Sequence, residues 1–86
     1  SELPTSTTVG NTRLTMTALR ITGANSCELS CRINASIYEA DPDDVDTIKG
    51  NLPNAAAAIK KQLGGRVSVR VVLYDSKGRL ITSATK

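Results

Sequence analysis

The chain has 86 residues, with no Trp, Phe or His, only two Tyr, and a formal net charge of +3. That length allows one small core, built here from Ile, Val, Leu and Ala, while the lack of His removes His-dependent catalysis and the commonest metal ligand. No apolar run approaches the ~18 residues of a membrane span, and so mild a charge speaks to solubility before it speaks to an anionic partner.

Residues 1–10, SELPTSTTVG, read as a flexible lead-in rich in Ser and Thr, which leaves 11–86 as a single α+β domain. The chain opens without Met and without an apolar signal region, so the expectation is a mature secreted product or a fragment of something larger. Residues 12–22, TRLTMTALRIT, form the first expected strand. Leu14, Met16 and Ala18 share a face, then the phase slips and Leu19 and Ile21 continue it, which is the mark of a β-bulge. Gly23-Ala24-Asn25 is turn material.

Ser26 to Glu39 is the next expected strand: from Cys27 to Ile37 every second residue is apolar, with Cys27, Leu29, Cys31, Ile33, Ala35 and Ile37 alternating with polar neighbours. This is the period of a strand with one dry and one wet face. In a regular strand Cys27 and Cys31 lie roughly 13 Å apart, beyond the reach of a disulfide, and are buried thiols suited to a reducing compartment. If the start of the segment is looped instead, a Cys27–Cys31 disulfide in a secreted protein becomes feasible. Asn34-Ala35-Ser36 fits the glycosylation acceptor pattern of a secreted protein.

Asp41-Pro42-Asp43-Asp44 opens a helix, with Asp41 as N-cap, Pro42 at the first helical position and acids at the positive helix end. Val45, Ile48, Leu52, Ala56, Ile59 and Leu63 then follow at spacings of three and four, one continuous apolar stripe. Gly50 and Pro53 interrupt it and predict one kinked helix or two short helices sharing a face. Lys60 and Lys61 suit the last turn, and Gly64-Gly65 ends it.

Arg66 to Tyr74, RVSVRVVLY, is a third strand with Val67, Val69, Val71 and Leu73 on one face, and Ser68, Arg70, Val72 and Tyr74 on the other. Asp75-Ser76-Lys77-Gly78 is a tight turn, and Arg79 to Ala84 returns as the fourth strand. The hairpin VVLYDSKGRLI resembles the LYD-x-x-G hairpin of many bacterial extracytoplasmic β-sandwich modules. The resemblance covers residues 71–81 alone and implies no more than shared turn chemistry.

The expected fold is α+β: a four-stranded, mainly antiparallel sheet in ββαββ order, with the helical segment packed on one face. The hairpins can join through parallel central strands, as in β-grasp-like domains. A small β-sandwich with a helical connection is the other candidate.

Among possible sites, Asp41, Asp43, Asp44 and Asp46 are a helix cap and not a calcium loop, because Val45 and Asp46 stand where a ligand and a glycine belong. Gly64-Gly65-Arg66 follows a helix, where the dipole repels a phosphate. Without His or an evident activated Lys no catalytic set is apparent, so no enzyme activity, cofactor or metal is expected. The wet face is the better prospect, with Arg32 and Tyr38 beside Arg66, Arg70, Val72 and Tyr74. An exposed Val72 among Tyr and Arg has the chemistry of an interface centre. The expected function is therefore a non-enzymatic protein-binding or self-associating module, alone or as a homodimer, using the exposed sheet face or an edge strand. The alternative is a small single-stranded nucleic-acid-binding domain using the same Arg and Tyr residues.

Overall fold

The computed structural model describes residues 4–86. Five strands form one sheet in sequential order, β1 (Thr5–Val9), β2 (Thr12–Gly23), β3 (Ser26–Ile33), β4 (Ser68–Tyr74) and β5 (Leu80–Thr85), with helix α1 (Pro42–Gln62) between β3 and β4. The α+β class is as expected, but the sheet is mixed: β3 and β4 are parallel and the other three pairings antiparallel. A parallel junction between the second and third expected strands joins the two halves, and no second sheet is present among the described residues.

The fifth strand is a correction. Thr5–Val9 lies in the segment read as a flexible lead-in, whose residues 1–3 fall outside the described part of the chain. It pairs with the first half of β2, from Thr5 opposite Met16 to Val9 opposite Thr12. Three Thr and a Val give it β propensity, and Gly10 (φ 59°) takes the positive φ that a two-residue hairpin loop requires. The same glycine leaves room for α1, because a Cβ there would collide with the Asp44 carboxylate. Asp44 Oδ2 accepts from the Asn11 amide (3.1 Å) and the Thr12 hydroxyl (2.9 Å), tying the hairpin to the first turn of the helix.

The phase slip in β2 is a register shift between Met16 and Ala18, and a second one follows between Ile21 and Gly23. Leu14 and Met16 pack against the core before the slip. After it Leu19 and Ile21 stand opposite Leu29 and Cys27, on the core side, and Ala18 stands opposite Ser30 on the other. Strand β3 stops at Ile33, short of the expected Glu39, because Asn34 turns its side chain back to accept from the Arg13 amide (3.0 Å). Ala35 and Ile37 still reach the core, now from a turn.

Helix α1 is one continuous element, not two. Asp41 caps it by accepting from the Asp43 amide (2.9 Å), and Val45, Ile48, Leu52 and Ala56 are buried. They cover Cys27, Leu29, Cys31 and Ile33 of β3 and Val69, Val71 and Leu73 of β4 in one apolar cluster, each large side chain contributing about 1.5–3 kcal/mol by its burial. The helix lies chiefly over β4 and β5. Pro53 deprives the Lys49 carbonyl of its helical donor, and the surrounding packing carries the helix through. Gly50 has nothing near its Cβ position, so Gly50→Ala is expected to stabilise the protein by about 0.5–1 kcal/mol in urea titration.

Candidate protein-binding site

The face of the sheet turned away from α1 is built in rungs set by register. Arg20, Glu28, Arg70 and Thr85 make one rung, and Ala18, Ser30, Val72 and Ser83 the next. Thr15, Arg32, Tyr74 and Leu80 make the third. The first rung is internally paired. Arg20 Nη2 lies 3.2 Å from Glu28 Oε1 and Arg70 Nη1 3.9 Å from Glu28 Oε2.

Val72 is not exposed as expected, being only 2 % accessible. Its register partners, Ser30 and Ser83, are small, and Arg70 and Tyr74 flank it along the strand. Long neighbours around a low side chain close it from water without joining it to the main core. It supports the face and offers no contact.

The third rung runs into a feature that single-strand patterns do not show. Asp75, fully buried, follows Tyr74 and takes four donors. Its Oδ1 accepts from the amides of Lys77 (2.9 Å) and Arg79 (2.8 Å). Its Oδ2 accepts from the Ile37 amide (2.9 Å) and the Arg79 guanidinium (3.3 Å). Burial alone would raise this carboxyl, but the Ile37, Arg79 and Lys77 amides and the Arg79 side chain together hold it at about 2. The expected Asp-x-x-Gly turn forms, with Gly78 at φ 81°, and Ser76 donates to the Ala35 carbonyl (3.1 Å). Turn 75–79 and loop 34–40 are thus locked to each other.

The lock presents side chains outward. Tyr38 is 82 % exposed, in a turn and not on a strand as expected. The Arg79 guanidinium carbon stands 5.2 Å from its ring centroid, a cation–π distance. Leu80, 59 % exposed, is the register partner of Tyr74. Of the residues singled out in the sequence, Arg32, Tyr38 and Tyr74 gather at this end, where the parallel strands finish. Arg70 lies at the opposite end and Arg66 in the loop before β4. Arg79 and Leu80 were missed, because their placement depends on Asp75 reaching the distant Ile37 amide.

No protein-family model matches the chain, and no curated protein matches it. Among solved structures it is similar to the pilotin EpsS of the Vibrio vulnificus type 2 secretion system. The TM-score is 0.60 at 19% sequence identity, over 84% of this chain and 66% of that one. The likeness is one of fold.

Elsewhere the chain offers little chemistry. Cys27 and Cys31 are both free and buried, and burial pushes the Cys31 thiol up to about 11, away from a reactive thiolate. No helix among the described residues is long and apolar enough to cross a membrane.

Proposed function

We propose that the protein is a non-enzymatic binding module whose contact surface for another protein is the end of the sheet bearing Tyr38, Arg79, Leu80, Tyr74 and Arg32. The observation that carries this reading is the buried Asp75, which holds the exposed Tyr38–Arg79 pair in place from beneath. Exposed Tyr, Arg and Leu are the side chains that anchor interfaces, and fixing them before contact lowers the ordering cost of binding. The fold is shared with a pilotin of a secretion system, which is in keeping with a binding role. Nucleic acid is the weaker reading, because at the other end of the face Arg20 and Arg70 share Glu28, which leaves the three with one net positive charge.

A photo-crosslinking side chain at position 38, compared with one at the exposed Lys49 on α1, tests the reading in extract from the source cells. A discrete protein adduct from position 38 alone is expected, persisting in high salt and lost in Leu80→Asp. With the captured partner purified, Tyr38→Ala should weaken affinity roughly tenfold or more. Equal adducts from both positions, or binding that falls steeply with salt, would overturn it.

A further inference from the structure

The strand arginines of the open face are matched unequally. Arg20 and Arg70 share Glu28 at one end. Arg13 and Arg32 stand at the other end, both exposed, and among the described residues neither side chain forms an ion pair or a hydrogen bond. Glu39, the exposed acid of loop 34–40, pairs with neither. Register sets the two side by side. Arg32 faces Thr15, and Arg13 lies one rung further on, where its carbonyl accepts from the Asn34 amide. They are thus diagonal neighbours on one face, roughly 7–8 Å apart and within reach of each other's long side chains. The positions opposite them are uncharged, Thr8 across from Arg13 and Ser6 beyond Thr15. Two like charges so placed repel, and a carboxylate set between them relieves the repulsion. The Arg32 rung continues across β4 and β5 as Tyr74 and the exposed Leu80. The face therefore has a cationic half and an apolar half, about 10 Å apart at two strand spacings.

We propose that the partner protein presents an extended acidic segment that crosses the strands of this face, with an acid between Arg13 and Arg32 and an apolar residue three positions away on Leu80. In an extended chain of three residues per turn, such positions share a side and lie about 9 Å apart, which matches the two halves. The proposal names the chemistry of the partner and rests on the binding reading above, to which it adds Arg13. Charge selects this occupant over a second copy, because two copies turned face to face bring the same unmatched arginines together. It also selects against nucleic acid. A single strand needs a cationic track along its backbone, and this one is two side chains wide. The next rung is the uncharged Ala18, Ser30, Val72 and Ser83, and Glu28 stands beyond it.

The test is an NMR titration of the isotope-labelled protein with three end-capped peptides, SSESSLSS, SSKSSLSS and SSESSSSS. The first should shift the amides of residues 13–15, 32 and 80 together. The second, its charge reversed, should bind roughly fivefold more weakly, and the third, without leucine, should also bind more weakly. Arg13→Ser combined with Arg32→Ser should erase the difference between the first two peptides without lowering the urea midpoint. Equal affinity for those two in the wild type, a preference that survives the double variant, or no response at millimolar peptide would overturn the proposal. So would tighter binding of an eight-residue oligothymidylate, which assigns the arginines to nucleic acid, or a dimer in sedimentation that the double variant dissolves. The position-38 crosslink separates the two readings. An adduct of undiminished yield in the double variant overturns the acidic segment alone, whereas no adduct in the wild type overturns the binding site as well.

Discussion

Replacing Asp75 with alanine lowers the thermal midpoint by roughly 10 °C, because it takes from the Ile37, Lys77 and Arg79 amides the buried carboxylate that accepts from all three. The loss is local in origin but joins two segments, so exchange protection falls in both loop 34–40 and turn 75–79. The Tyr38–Arg79 contact loosens with them. The effect also has a pH signature. The folded carboxyl sits at about 2, below its ordinary 3.8, so its stabilisation is fully present above pH 3.8. It is lost as the pH falls through about 2. Asp75→Asn cannot ionise, so the gap in stability between wild type and this variant should be constant near neutrality and narrow between those two values. A gap that stays constant down to pH 2 would mean that the amides bind a neutral acceptor equally well.

Leu73→Ala is the other large effect. Leu73 is 0 % accessible, faces α1 and belongs to the central apolar cluster, and truncation there costs about 2–5 kcal/mol. A chain of this length has roughly 4–13 kcal/mol of stability in all. The variant should therefore show a much lower urea midpoint with an unchanged slope. Labelling of the buried Cys27 and Cys31 thiols should quicken by roughly two orders of magnitude, because it reports opening of the core. The adjacent Val72→Ala is the control. It is as buried, but it sits on the open face outside the main cluster, so its cost should be clearly smaller. An equal cost would make the open face a second core.

The parts of the fold that could be read from the sequence are those in which one element's own period meets the core. The alternation from Cys27 to Ile33 and the stripe from Val45 to Leu63 are of this kind; the first buries all four of its apolar residues and the second buries Val45 to Ala56, while Ile59 is half-buried and Leu63 exposed beyond the sheet. Strand β1 carries no such signal. In TSTTV the one apolar side chain, Val9, packs against the core, and the polar rest is tied to β2 by backbone pairing and by contacts such as Ser6 Oγ to Thr15 Oγ1 (2.9 Å), which a polar sequence does not advertise. The alternation through Ala35 and Ile37 misled in the opposite direction, since a turn can send two apolar side chains to the core without being a strand. At the candidate site, Tyr74 and Arg32 were legible because strands place them. The burial of Val72 depends on neighbours in three strands, and the exposure of Tyr38 beside Arg79 depends on a carboxylate far along the chain. Neither is a property of a local window.

The sequential strand order has a consequence for how the chain reaches this structure. The β1–β2–β3 meander and the β4–β5 hairpin each close through short turns and are local in sequence. Such units assemble on a microsecond scale. The parallel ladder from Ser26 opposite Ser68 to Arg32 opposite Tyr74 is different, because the whole of α1 intervenes between its strands. Loop closure across that span must come before its contacts reward it. Docking of the helix onto β4 is what brings the strands together, so the slow step of folding belongs to this ladder.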